Sequence, residues 1–123
     1  MAFDQWLADR LRMTLSEKNI SFQEKKMMGG LCFMVDDKMC FGIHTDKNTK
    51  APIMMARVGP EAAEAALIRP HCLPMEFTGR PMKGFVTITS EGLDQDEDLS
   101  YWVNLCLAYN PLAKRSKRKK KTS

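Results

Sequence analysis

Signatures of catalysis and metal binding are what this 123-residue sequence lacks. Its four cysteines, Cys32, Cys40, Cys72 and Cys106, form no C-x-x-C pair, and with His44 and His71 they show no zinc-ligand spacing. No G-x-x-x-x-G-K-[ST] or G-x-G-x-x-G loop is present. The one glycine pair, Gly29-Gly30, lies in a strand-like run rather than before a helix, and reads as a bulge or a close backbone approach. His71 and Cys72 are adjacent, and neighbouring residues do not place their side chains together as a nucleophile and base must be. The acidic run from Asp94 to Asp98 lacks the calcium-loop pattern and reads as a solvated helix start. No catalytic residue, metal ligand or cofactor is therefore expected.

Long apolar runs are absent too. The longest, Met27 to Val35, is far short of the ~20 residues a membrane helix needs. The N-terminal MAFDQWLADRLR is charged and has no apolar core of a secretory signal. The expectation is a cytoplasmic protein without membrane contact, whose cysteines are free and behave as small buried hydrophobes.

Charge is present but segregated. The net +4 hides a tail in which Lys114, Arg115, Lys117, Arg118, Lys119, Lys120 and Lys121 stand with no acid among them. Without these seven, 12 Lys and Arg face 15 Asp and Glu, so residues 1–113 carry about −3. The sequence divides into one domain, 1–112, and a disordered basic tail, 113–123. The tail has no aromatic or branched apolar residue, which excludes an amphipathic membrane helix. It is a candidate for weak, nonspecific nucleic-acid contact, or else a solvated segment.

Periodicity supplies the elements. Phe3, Trp6, Leu7 and Leu11 mark an amphipathic helix ending near Lys18-Asn19. Lys26 to His44 reads as a hairpin around a two-residue Asp36-Asp37 turn. That register pairs Phe33 with Cys40. It sets Leu31, Phe33, Val35 and Cys40 on one face, and Cys32, Met34, Met39, Phe41 and Ile43 on the other. Ile53–Val58 is a third strand, and Gly59-Pro60-Glu61 opens a helix running to Ile68. Met75–Phe77 and Phe85–Ile88 are strands joined by a turn-rich Thr78–Gly84. The last helix begins in the acidic run, buries Leu99, Trp102, Val103 and Cys106, and stops at Asn110-Pro111. The order α-β-β-β-α-β-β-α implies an α+β domain with a mostly antiparallel sheet.

Two sets of body residues are candidates for function. Arg57, Arg80 and Lys83 suit an anion site, the last two on a glycine-flanked turn; the alternative is a carboxylate partner for Arg57 and solvation for the others. Met34, Met39 and Phe41 are candidates for an interface, since both hairpin faces are apolar and thioethers make adaptable contacts.

The strings MMGGLCFMV (27–35), MARVGPE (55–61) and MEFTGRPMKGFV (75–86), with the later Leu99-x-x-Trp102-Val103, resemble the N-terminal domain of the TfoX/Sxy family over most of residues 5–110. The resemblance implies a two-layer α-β3-α-β2-α fold similar to secretion chaperones, with a five-stranded sheet. The family's namesakes regulate DNA-uptake competence in bacteria with a cyclic-AMP-receptor-type activator, and carry a further helical domain where this sequence has its tail. The implied role is that of a stand-alone, non-enzymatic interaction module, accessory to transcription. Its expected partners are a protein such as a transcription regulator, and a second copy in a homodimer. Nucleic-acid association through the tail, and small-anion binding at Arg57 and Arg80, are the alternatives.

Overall fold

A computed structural model describes residues 4–27, 29–46, 49–77 and 80–113. Helix α1 (Gln5–Glu17) starts where Asp4 caps it, the carboxylate accepting from the amides of Trp6 at 2.8 Å and Leu7 at 3.3 Å. Leu7, Ala8, Leu11 and Leu15 form its buried stripe. Trp6, expected in that stripe, stands 66% exposed beside it, with the Arg10 guanidinium 5.0 Å from its ring centre. Four strands follow: β1 (Gln23–Met27), β2 (Gly30–Val35), β3 (Lys38–Thr45) and β4 (Pro52–Arg57). Next come α2 (Pro60–Ala66), β5 (Cys72–Phe77) and β6 (Arg80–Ile88). A 3-10 turn at Ser90–Leu93 leads into α3 (Asp96–Tyr109), and a second at Asn110–Leu112 closes the domain.

The class is α+β, as the sequence implies, but the sheet has six strands rather than five, in the order β1-β2-β3-β4-β6-β5 and antiparallel throughout. The additional strand is β1. Gln23, Glu24, Lys25 and Lys26 are all exposed, so it carries no apolar alternation to betray it. It is an edge strand, and its lysines discourage pairing with another chain. Arg12 of α1 grips it from the helix side, with Nε 2.6 Å from Glu24 Oε2 and Nη2 2.9 Å from Oε1. The opposite edge, β5, contains Pro74, which removes a backbone donor there.

Two further expectations are corrected. The segment read as a turn-rich connection is largely β6: Arg80 pairs with Phe77 and Pro81 with Glu76 in a hairpin with β5. And α2 stops at Ala66, short of Ile68, which is 86% exposed.

The hairpin register shifts by one residue. Asp36-Asp37 forms the expected two-residue turn, with φ of 55° and 64°, and Val35 pairs with Lys38. An irregularity between Phe33 and Met34 then places Phe33 opposite Phe41, and Leu31 opposite Ile43. Phe41 and Ile43 therefore lie beneath the helices, fully buried, instead of on the far face. The rings of Phe33 and Phe41 stack at 4.9 Å, and that contact is worth about 1 kcal/mol beyond area burial.

The core is a single cluster. Leu31, Phe33, Phe41, Ile43, Met54, Ala56, Val86 and Ile88 from the sheet meet Leu7, Leu11 and Leu15 of α1 and Leu99, Trp102, Val103 and Cys106 of α3. Ala63 and Ala66 bring α2 into it. Two polar contacts tie the hairpin tip to the end of α3. The buried Lys38 Nζ donates to Asn110 O at 2.8 Å, and Asn110 Nδ2 donates to Val35 O at 3.2 Å.

The turn and the β4–α2 junction make opposite predictions. Asp37 holds a left-handed conformation that glycine adopts without penalty, so Asp37→Gly should raise the urea-unfolding free energy by about 1 kcal/mol. Gly59 has φ 94°, and a Cβ there would lie 2.6 Å from the Tyr109 ring. Gly59→Ala should cost about 3 kcal/mol in the same titration.

Candidate interaction surface

Strand alternation fixes what lies on the sheet face away from the core. Pairing sets Lys25 beside Cys32, Gly42 beside Met55, His44 beside Ile53, Met55 beside Thr87, Arg57 beside Phe85 and Leu73 beside Thr87. Met34 and Met39, also paired, belong to the same face. Met34, Met39, Ile53, Met55, Phe85 and Thr87 are half-buried and Leu73 is exposed. The result is a continuous apolar, sulfur-rich surface with no described helix over it.

The methionines pack down on their own sheet. Gly42 leaves a space into which the methyl groups of Met55 and Met39 lean; a Cβ on Gly42 would lie 3.1 Å and 3.5 Å from them. Cys32 directs Sγ at Met34 Sδ, 3.6 Å away, and is only 4% exposed although it faces outward. Arg57 spans the same face, its guanidinium 5.6 Å from the Phe85 ring centre and Nη1 donating to Met39 O at 3.4 Å. Lys25 and Arg57 bring positive charge to this surface.

The candidate residues thus separate. Met34 and Met39 lie on the open face; Phe41 does not, because the bulge turns it into the core. Met55 and Phe85 join them, and the alternation of Met54 inward with Met55 outward is the sequence signal for the first. Arg57, Arg80 and Lys83 are not gathered on a turn. All of Arg80–Ile88 is strand, and Arg80 stands five residues along β6 from the Phe85 that faces Arg57, roughly 16 Å of strand. Lys83 is exposed, and the side chain of Arg80 lies outside the described residues, as do Lys114, Arg115, Lys117, Arg118, Lys119, Lys120 and Lys121.

The motif glycines serve the backbone. Gly30 lies so close to β3 that a Cβ would collide with the Ile43 carbonyl oxygen and stand 2.9 Å from His44 Cβ. Gly84 O accepts from the amides of Val58 at 2.9 Å and Gly59 at 3.0 Å, bringing the R-V-G-P and M-K-G-F strings side by side.

The thiols are quiet. Burial raises Cys32 to about 11, partly offset by Lys25, and Cys72 to about 11 against the pull of Arg69. Cys106 is pushed well above the ordinary thiol range, by complete burial first and then by the neighbouring Cys40 thiol. Burial holds the His44 imidazole below its ordinary value. Among the described residues, no three His, Cys, Asp or Glu side chains gather to hold a metal, and no helix is long and apolar enough to cross a membrane.

A two-layer α+β domain with one methionine-rich sheet face that no described helix covers is the class of protein these features define. The family model of the TfoX N-terminal domain matches residues 19–109, and the chain belongs to that family. No curated protein matches the chain.

Because the thiol values are raised on folding, the stabilisation they give is complete below the unfolded thiol range near 8.5 and is lost as pH rises through about 11. Unfolding free energy should fall over that interval, and a Cys32→Ser, Cys72→Ser variant should show a flatter fall. At pH 8 an aromatic disulfide reagent should titrate all four cysteines in denatured protein and react far more slowly with the native fold.

Proposed function

We propose that this domain is a non-enzymatic interaction module that acts in transcription regulation, and that the open sheet face is where it meets its protein partner, a transcription activator. The observation that carries this reading is the sheet face that no described helix covers. A sheet with apolar residues on both sides and helices on one leaves Met34, Met39, Ile53, Met55 and Phe85 half-exposed together. Flexible thioethers adapt to a partner's contour, and burial of such a face contributes roughly 25 cal/mol per Å² of apolar area. The exposed Lys25 at the rim of the face favours a partner surface of negative character. Family membership supports the regulatory role through the competence regulators that the sequence resembles.

Methionine methyl NMR separates this reading from its rivals. On titration with a cyclic-AMP-receptor-type activator, the methyl signals of Met34, Met39 and Met55 should shift or broaden, while that of the fully buried Met54 stays in place. Broadening of the same three with protein concentration alone would identify a homodimer through this face. No change under either condition would refute the face as an interface.

A second reading rests on the segregation of charge. Seven cations within Lys114–Lys121 follow a body of about −3. Full-length protein should bind duplex DNA without sequence preference, with log K falling against log salt at a slope of about −3 to −5. Replacing the seven with glutamine should abolish binding and leave the melting temperature unchanged.

A further inference from the structure

The described residues contain a second exposed apolar feature, distinct from the open face. Where α1 begins, beside Pro52 and the 3-10 turn before α3, a cleft of about 280 Å³ is floored by Leu7, Leu93 and Pro52, walled by Trp6, and rimmed by Glu91 and Asp94. Trp6 is 66% exposed, whereas the chain's other tryptophan, Trp102, is 2% exposed. At the mouth of a cleft such an indole offers a broad apolar ring and a polar N–H to whatever enters. The one cation in the lining, Arg10, is engaged: its Nη2 lies 3.0 Å from Asp96 Oδ1 and 3.2 Å from Asp94 O. It also sits over one face of the Trp6 ring, 5.0 Å from its centre, while the indole as a whole stays 66% exposed.

The chemistry of such a cleft is that of a lysine or arginine receptor. The apolar floor accepts a methylene stem, the indole face attracts the cationic head, and rim carboxylates supply the counter-charge. We propose that the cleft receives the basic tail of the same chain, through cations at its far end, Lys119 to Lys121. Two observations select this occupant. The first is charge: seven cations and no acid in the tail, against the exposed carboxylates of Glu91 and Asp94 on the cleft rim. The second is length. The cleft lies at the N-terminal end of α3 and the tail departs from Ala113, past its C-terminal end. The 14-residue helix is about 21 Å long. Extended chain spans at most about 3.5 Å per residue, so Lys114 and Arg115 cannot cover that distance from Ala113, whereas Lys119 to Lys121 can.

Trp6 is the reporter. Quenching by neutral acrylamide is measured on the full chain as salt rises from about 0.01 M to about 1 M, where the screening length falls from about 30 Å to about 3 Å. A Trp6→Phe variant gives the Trp102 background to subtract. The expected result is a Trp6 quenching constant that is low at low salt and rises roughly two-fold as the tail is screened away. Two full-length variants, one carrying Glu91→Gln with Asp94→Asn and one carrying glutamine at 119–121, should show the high value at every salt concentration. All the replaced carboxylates are exposed, and circular dichroism confirms the fold. Three results would overturn the proposal: quenching that is independent of salt; protection that survives neutralisation of the tail, which marks another occupant; and protection that weakens on dilution, which marks the tail of a second copy.

Discussion

In a sheet whose strands are apolar on both sides, the register of one hairpin decides which side the helices cover. Here that decision is made at the step between Phe33 and Met34, where one extra residue is accommodated on β3. Before the step, Val35 and Lys38 take their pairing from the turn. After it, Phe41 and Ile43 point where Phe33 and Leu31 point, and the three central strands present one uninterrupted floor to α1 and α3. Without the slip, Phe41 and Ile43 would face water while the helices rested on smaller groups. Every pairing further along the sheet, from Phe41 with Ala56 to Met54 with Ile88, inherits the choice.

The polar tie at the hairpin tip holds this arrangement at its far end. Lys38 is buried, reaches Asn110 O at 2.8 Å and lies 3.4 Å from Asp36. Asn110 returns a bond to Val35 O. Because Asn110 comes directly after α3, the helix is set in position along its axis relative to the turn, and Trp102, Val103 and Cys106 meet the sheet in one alignment. A buried ammonium makes this a specific contact rather than a strongly stabilising one, since its desolvation offsets much of the attraction.

Much of this is legible in the residues. The α3 stripe, the Asp36-Asp37 turn and the class of the fold come from periodicity and turn chemistry. Four features are hidden for different reasons. β1 has four exposed polar residues, so no alternation marks it; its partner strand and Arg12 hold it. The β6 strand runs through Arg80-Pro81-Met82-Lys83-Gly84, whose proline and glycine read locally as turn; pairing with β5 overrides that preference. The bulge leaves no mark in a pattern of hydrophobic residues, because Cys40 and Phe41 are both apolar and either satisfies the core. Simple alternation misplaces Phe41 for that reason, while Met34 and Met39 fall on the open face in either register. The Trp6 cleft is invisible because a tryptophan at helical spacing with Leu7 and Leu11 reads as core.

The two sheet edges bear on how this fold can change over evolutionary time. β1 offers a charged rim and β5 a proline, so neither invites a partner to extend the sheet by backbone pairing. On the proposed interaction face, by contrast, one methionine can replace another hydrophobe without disturbing a single main-chain bond. A lineage can therefore reshape that face through a few outward substitutions while the inward residues, and the architecture, stay as they are.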